Sequence, residues 1–224
     1  MIASALESGA VVQRVRVVFA KGDQVRYISH LDLLRVWERV LRRARVPMAW
    51  SQGFNPRPRL FFAAALPVGV TGSAEMLDLM LASPVELPVL QHLIGDQLPP
   101  GLHLCALEDV PLTLPSLPSR VVAAVYEVIF AESASVDDLQ CRVDSLLAAP
   151  SLPRSRQRPD GVRSYDLRPL VQSLWISKTD AGRTVLHMRL QMDQQGTGRP
   201  DEVLAELGLW GSAQSIERVE LVLQ

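Results

Sequence analysis

Residues 13–47 read QRVRVVFAKGDQVRYISHLDLLRVWERVLRRARVP, and this stretch decides the fold. Its first seven residues alternate in the manner of a half-buried strand, with Val15, Val17 and Phe19 set against Arg14, Arg16 and Val18. A helix follows from His30 to about Ala44. Ser29 and Asp32 form a capping box at its start, and Pro47 comes just after its end. The sequence therefore predicts a strand and then a helix whose length is well bounded.

Similar elements continue along the rest of the chain. Strands are predicted over 47–51, 59–66, 75–81 and 103–110, with a helix over 86–97. Later strands are predicted over 120–130, 167–177, 184–192 and 215–223, with helices over 136–149 and 199–207. This order predicts an α+β fold of two ferredoxin-like βαββ-type halves packed in tandem, each an antiparallel sheet with helices on one face.

The predicted domain boundaries follow from a proline-rich stretch near the middle. Pro111, Pro115 and Pro118 interrupt any regular element, which is typical of a linker. We expect a flexible N-terminal tail over 1–12, a first half over 13–110, a linker over 111–119 and a second half over 120–224.

Composition excludes several classes of protein. Of the 224 residues, 48% are hydrophobic and 21% are charged, which excludes disorder over most of the chain. Two cysteines, Cys105 and Cys141, exclude a disulfide scaffold and a four-cysteine zinc site and fit a reducing compartment. The chain starts without a basic signal-like segment and has no apolar run of about 18 residues. We expect a cytoplasmic protein without membrane contact.

The formal net charge of −1 conceals a strong asymmetry along the chain. Residues 1–60 contain 11 Lys and Arg against 4 Asp and Glu, whereas residues 61–119 contain none against 6. The predicted first helix concentrates much of the positive charge. Its core-facing residues are Leu33, Trp37, Val40, Leu41 and Ala44, and its opposite half carries Arg35, Arg39, Arg42, Arg43 and Arg45. A basic helix face is usually only exposed to solvent. The positive charge of this face exceeds what solubility requires, so it favours anion binding.

A loop rich in Gly and Pro follows the helix, with the sequence SQGFNPRPR at 51–59. Arg57 and Arg59 can form forked hydrogen bonds with phosphates, and Phe54 can stack on a base. The alternative is a simple hairpin connection in which Gly53 and Asn55-Pro56 only turn the chain.

A second basic cluster consists of Arg154, Arg156, Arg158, Arg163 and Arg168. Taken alone it is typical of a solvated, mobile loop. If it faced the 35–59 surface, the two clusters would form one groove for a phosphate-bearing partner.

Four motifs resemble the radical SAM-linked protein family, a family defined by a domain of unknown function. They are RYISHLD at 26–32, RRA at 42–44, SQGFNPRP at 51–58 and ALPVG at 65–69 with Glu75. Weaker matches are DLRP at 166–169 and RPD at 199–201. The resemblance implies an accessory role to a separately encoded radical SAM enzyme, in RNA metabolism, and it brings no established catalytic residues.

This chain lacks the enzyme half itself. A radical SAM cluster needs three closely spaced thiolates, and the two cysteines lie 36 positions apart. Gly196-Thr197-Gly198 lacks the third glycine of a dinucleotide loop, and His103 with Cys105 is more typical of packing than of a metal site. We expect neither a metal nor another cofactor.

The sequence thus favours a protein that is not itself an enzyme and binds RNA, tRNA or rRNA, through arginines and one stacking ring. The expected phosphate-binding residues are Arg35, Arg39, Arg42, Arg43, Arg57 and Arg59, with Phe54 for stacking. One alternative is a protein-binding module that regulates the radical SAM enzyme without contacting nucleic acid. Another is a metal-independent ribonuclease in which His30 moves the proton and Tyr27 stabilises charge. The oligomeric state stays open.

Overall fold

The computed structural model describes residues 11–130, 135–158, 161–179 and 181–224. The chain divides into two compact units, the first ending at Arg120 and the second beginning at Val121. Each unit combines a few helices with a sheet in which every pair of neighbouring strands assigned within the unit is antiparallel. The predicted α+β class with antiparallel strands is therefore confirmed.

Within its described residues, 11–120, the first unit contains four strands and three helices. In chain order these are β1 (Gln13–Lys21), α1 (His30–Arg43), β2 (Leu60–Phe62), β3 (Thr71–Leu81), α2 (Leu87–Gly95), β4 (Leu102–Asp109) and α3 (Leu117–Arg120). Within this unit the strands lie in the order β4-β1-β3-β2. The predicted strand over 59–66 is shorter than expected, and the one over 47–51 is reduced to isolated bridges from Met48 to Leu81 and from Trp50 to Pro58.

The core of the first unit lies between one face of its sheet and α1 and α2. Val15, Val17 and Phe19 of β1 are completely buried there, as the alternation predicts. The Phe19 ring meets the Trp37 ring of α1 edge-on, with ring centroids 5.0 Å apart. This packing fixes which side of α1 faces inward, so its arginines face outward.

The opposite face of the same sheet carries a buried charge cluster. Asp78 of β3 is fully buried and accepts hydrogen bonds from Arg14 Nε at 2.8 Å and Arg16 Nε at 2.9 Å. Arg14 also donates to the carbonyl oxygens of Leu114 and Pro115 at 2.8 and 2.9 Å. One carboxylate therefore ties two positions of β1 to β3, and Arg14 ties both to the proline-rich segment.

That segment differs from the predicted linker. Residues 111–119 belong to the first unit, contribute most of α3, and bury Leu117. The carbonyl groups near Pro115 are held by Arg14, which is why a proline-rich stretch without helix or strand periodicity is nevertheless packed. Of the predicted tail, residues 1–10 lie outside the described residues, and Val12 N donates to Leu81 O at 2.9 Å.

The described part of the second unit contains six strands and two helices. In chain order these are β5 (Val121–Phe130), α4 (Val136–Ala148), β6 (Pro153–Arg158), β7 (Gly161–Asp166), β8 (Val171–Lys178), β9 (Thr184–Gln191), α5 (Pro200–Glu206) and β10 (Ala213–Leu223). Four of these strands lie in the order β10-β5-β9-β8, and β6 and β7 form a separate hairpin. That hairpin lies where the sequence predicted a mobile loop.

We expect Asp78→Asn to lower the free energy of unfolding by about 3–5 kcal/mol, because it leaves two buried guanidinium groups without a counter-charge. Urea denaturation of the purified protein measures this loss. Asp96→Asn is the matched control, since Asp96 is exposed and should change stability by no more than about 0.5 kcal/mol. A loss below about 1 kcal/mol for Asp78→Asn would show that the cluster is not a structural anchor.

Candidate nucleic-acid interface

The start of α1 is built as the capping box predicts. Ser29 Oγ accepts a hydrogen bond from Asp32 N at 3.2 Å, and its hydroxyl donates to Asp32 Oδ2 at 2.7 Å. Arg35 donates to the other Asp32 oxygen at 2.9 Å. The Ser29 hydroxyl, followed by Arg35, holds the pKa of Asp32 below its usual value. Arg35 therefore has a local counter-charge in Asp32.

Three other arginines of α1 are exposed cations. Arg39, Arg42 and Arg43 project from the outer side of the helix, and none of them forms an ion pair within the described residues. With 3.6 residues per turn, Arg39 and Arg43 lie about 60° and 100° around the helix from Arg42. The three charges thus cover one continuous surface.

The end of α1 holds Arg45 in an unusual backbone conformation. Arg45 N donates to Arg42 O and Val46 N donates to Leu41 O, which is the Schellman hydrogen-bond pattern. Arg45 has φ of 51° and is the only residue other than glycine with positive φ in the described part of the chain. Glycine is the usual residue at this position, because a side chain costs roughly 1–2 kcal/mol there. A strained arginine beside three exposed arginines points to a function for its side chain.

Next to Arg45 lies a groove of about 340 Å3 that we call the Arg42 groove. Its lining residues are Glu38, Leu41, Arg42, Arg45, Val46, Pro47, Met48, Trp50 and Pro58. The walls are mainly apolar, and the charged residues come from α1 and the turn after it. Trp50 is 42% exposed, so part of its indole is available to a ligand. The groove therefore combines an aromatic ring with two guanidinium groups.

The loop carrying Phe54 emerges from the wall of this groove. Ser51 N donates to Arg57 O at 2.8 Å, Arg57 N donates to Ser51 Oγ at 2.9 Å, and Trp50 bridges Pro58. These contacts close the base of the loop, whereas Phe54 near its tip is fully exposed. A second aromatic ring thus stands on a loop anchored at its base beside Trp50.

Comparison with known proteins identifies a family. Residues 14–200, which include the whole Arg42 groove, match the family described as "Uncharacterized protein conserved in bacteria (DUF2344)". The chain belongs to this family. That description names no radical SAM enzyme, so this association of the DUF2344 protein stays a prediction. Comparison with curated proteins gave no match.

Comparison with solved structures finds chains of low sequence identity. One is titled "Crystal Structure of a Cbf5-Nop10-Gar1 Complex", at 7% identity and a TM-score of 0.48, with 96% of this chain and 50% of that chain covered. Another is titled "Crystal structure of the archaeal box H/ACA sRNP Nop10-Cbf5 complex", at 7% identity and a TM-score of 0.44, with 99% and 50% covered. The DUF2344 chain spans about half the length of these chains. At these values the similarity says nothing about what it binds.

Two of the predicted arginines of the DUF2344 protein, Arg57 and Arg59, do not line the Arg42 groove. Trp50 and Pro58 line the Arg42 groove, and side chains of an extended segment alternate between its two sides. Arg57 and Arg59 therefore point to the side opposite Pro58. The sequence places these residues just after the helix, and it could not show that Pro58 rather than its two neighbouring arginines lines the groove.

Trp50 and Arg45 are the residues that the predicted site omitted. Arg45 was assigned to the basic helix face but not to the binding set, and Trp50 was counted within a predicted strand. A signal for Arg45 was present in the sequence, since Pro47 marks the helix end and a glycine is usual in that turn. Nothing local distinguishes Trp50 from a core residue.

His30 and Tyr27, the residues of the ribonuclease alternative, each contact a neighbouring side chain. The His30 ring packs edge-on against Phe62, with centroids 5.1 Å apart. The Tyr27 hydroxyl accepts a hydrogen bond from Arg26 Nη2 at 2.7 Å, and the Arg26 guanidinium lies over the Tyr27 ring. Their observed contacts favour packing over proton transfer.

The second basic cluster is largely paired within its own unit. Arg154 pairs with Glu206, and Arg156 pairs with Glu202 at 2.7 Å while lying over the Tyr165 ring. Arg168 donates to the carbonyl oxygens of Leu147 and Val171. Arg163 is exposed without an ion pair in the described chain, and the side chain of Arg158 lies outside the described residues. Two of the five, Arg154 and Arg156, therefore tie the β6–β7 hairpin to α5.

We expect Arg45→Gly to raise the free energy of unfolding by about 0.5–1 kcal/mol. The substitution removes the roughly 1–2 kcal/mol that a residue with a side chain costs in the left-handed conformation. Part of this gain is lost, because glycine gives the unfolded chain more conformational entropy. Urea denaturation measures the gain. Arg45→Ala keeps the strain and removes only the charged group, so it should give no such gain. Equal stability of the Gly and Ala variants would contradict the assigned conformation.

Proposed function

We propose that this protein binds single-stranded RNA in the Arg42 groove, with an unpaired base against Trp50. The observation that carries this proposal is the partly exposed Trp50, which lines a groove of about 340 Å3 together with Arg42 and Arg45. Ligand pockets range from roughly 300 to 1,000 Å3, so this groove suits one base or nucleoside rather than a duplex. Proteins that bind single strands commonly combine stacking rings with a basic track.

The arginines supply the phosphate contacts in this proposal. Arg42 borders both the groove and the outer helix surface, so a strand whose base enters the groove would leave its backbone beside Arg39 and Arg43. Guanidinium groups form paired hydrogen bonds with phosphate oxygens, and arginine stays charged at any physiological pH. Arg35, which is paired with Asp32, and Arg57 and Arg59, which point to the other side, take a smaller part.

Phe54 extends the proposed site beyond the groove. Its ring is fully exposed on a loop whose base is closed next to Trp50. An exposed phenylalanine costs solubility without stabilising the fold, so its position suits a stacking contact with a neighbouring base.

The proposal also covers the strand order within each of the two units. We infer that both units follow one ferredoxin-like βαββαβ pattern. In order of appearance, ignoring the β6–β7 hairpin, the four main strands of each unit lie in the sequence 4-1-3-2. The hairpin would then be an insertion between α4 and the second main strand. In this proposal the first unit includes residues 111–119, so the boundary between the units follows Arg120.

A second candidate function is docking to a radical SAM enzyme, as the sequence resemblance implies. Two of the quoted motifs meet at the surface, because Gly69 N donates to Arg26 O at 2.9 Å. They expose apolar side chains, with Tyr27 at 68%, Leu31 at 63% and Val68 at 58%. Exposed apolar groups of this kind favour a protein partner. RNA binding and enzyme docking would use different residues and are compatible.

The compartment proposed for these activities is the cytoplasm. Cys105 and Cys141 are both free and exposed, which suits a reducing environment. Within the described residues, none of the helices has the length and apolar character needed to cross a membrane.

We expect Trp50→Ala to weaken binding of a short fluorescein-labelled oligouridylate by about 5- to 150-fold, equivalent to the roughly 1–3 kcal/mol of one stacked base. Fluorescence anisotropy measures the affinity. Trp50→Phe keeps a stacking surface and should retain most of the binding. Wild-type affinity in Trp50→Ala would exclude the groove as the binding site.

The same titrations test the basic surface. Arg39→Glu combined with Arg42→Glu should remove most binding, and the wild-type affinity should fall with salt by a log–log slope of about 0.7 per phosphate contact. Arg183→Glu, an exposed charge reversal in the second unit, is the matched control and should bind like the wild type. If both charge reversals weaken binding equally, the attraction is nonspecific rather than located on α1.

A further inference from the structure

Three side chains on neighbouring strands of the second unit form a line that neither the RNA site nor the core explains. Glu127 lies on β5, His187 on β9 and Ser177 on β8. His187 is directly opposite Glu127 in one strand pair and opposite Trp175 in the next. Glu127, His187, Ser177 and Trp175 lie on one face of the sheet. The opposite face carries the buried side chains of Tyr126, Val128, Leu186 and Met188.

The distances along this line give each group a defined partner. Ser177 Oγ lies 2.7 Å from His187 Nε2, and His187 Nδ1 lies 3.5 Å from Glu127 Oε1. The carboxylate favours the tautomer that carries the proton on Nδ1, so Nε2 is left to accept the Ser177 hydroxyl proton. The order is therefore hydroxyl, imidazole and carboxylate, as in a serine nucleophile with its base and its orienting acid.

Neighbouring groups hold the imidazole in place. The Trp175 indole stacks on the His187 ring with centroids 4.9 Å apart and planes 3° from parallel. The His187 side chain is only 14% exposed, while Trp175 is 41% exposed and bounds the open side. Glu217 of β10 pairs with Glu127 and adds negative charge to the same face. Because three hydrogen-bonded strands fix these positions, the base does not have to move before it acts.

We propose that Ser177 is an activated nucleophile that accepts an acyl group from an ester or thioester. The Ser177 oxygen bonds to the carbonyl carbon while its proton passes to His187 Nε2. The adduct then expels the alcohol or thiol, which leaves with the proton from His187, and the acyl group remains on Ser177. A water molecule attacks the acyl carbon with the same base, releases the carboxylic acid and restores the serine.

The strand edge offers a donor for the charged oxygen formed in this step. Hydrogen bonds alternate in direction along an antiparallel strand. Thr179 N donates to Arg183 O at 2.9 Å, so the preceding N–H, that of Lys178, points away from β9. β8 is the outer strand of this sheet, which leaves that N–H directed outward next to Ser177.

Ser173 provides an internal control for the effect of the base. It lies on the same strand and the same face as Ser177, four residues earlier, and faces Arg189 instead of His187. A serine that only packs on a sheet should react like Ser173. An activated serine should react faster.

The test is covalent labelling of the full chain with a fluorophosphonate, followed by peptide mass spectrometry. In this reaction the serine oxygen displaces fluoride at phosphorus, and His187 takes the serine proton. We expect labelling at Ser177 and none at Ser173. His187→Gln should slow labelling by about a hundredfold or more, as the loss of a general base does. Near-ultraviolet circular dichroism checks that this variant is folded.

Glu127 is a positioning residue in this proposal. Glu127→Gln should slow labelling, and Glu127→Asp, which keeps the carboxylate, should label faster than Glu127→Gln. A merely structural role would instead favour Gln, which keeps the size and shape of Glu127. Ser177→Ala should abolish the label, and Ser173→Ala should leave it intact. The proposal is overturned if Ser177 reacts no faster than Ser173, or if folded His187→Gln labels at the wild-type rate.

Discussion

The first unit depends on a single buried carboxylate. Asp78 accepts hydrogen bonds from Arg14 and Arg16, and Arg14 extends the cluster to the carbonyl groups at 114–115. The cluster contains two positive charges and one negative charge away from water, so it is stable only while β1, β3 and the proline-rich segment keep one relative position. With the charged side of the sheet fixed in this way, the other side is left for Trp37 and the apolar face of α1.

The orientation of α1 then produces the candidate site. Burial of Trp37 and Leu41 directs the arginines outward, and the Schellman turn at its end places Arg45 beside Trp50. That turn would be more stable with glycine. The left-handed conformation of Arg45 lowers the folding stability and fixes the position of a cation. Strained residues of this kind are common at functional sites. In the proposed RNA site, stability and binding therefore make opposite demands on Arg45.

Local sequence patterns predicted most helices and strands well, but they did not predict which distant residues pair with the charged side chains. The capping box at Ser29 and the alternation of Val15, Val17 and Phe19 depend on neighbours in sequence, so they were readable. Part of the positive charge in residues 1–60 is internal, because Arg14 and Arg16 are buried and pair with Asp78, more than sixty residues away. The β6–β7 hairpin has arginines and prolines instead of apolar alternation and is held by ion pairs to Glu202 and Glu206. Such long-range partners leave no local signature.

The most direct test of the proposed RNA site is photo-crosslinking of the wild-type protein to single-stranded RNA containing 4-thiouridine, with the adducts mapped by mass spectrometry. The account predicts crosslinked uridine on the peptide that contains Trp50 and Phe54, lost when an excess of unmodified oligouridylate competes. Adducts confined to other segments, such as the β6–β7 hairpin, would contradict the assignment of the Arg42 groove as the site of RNA binding.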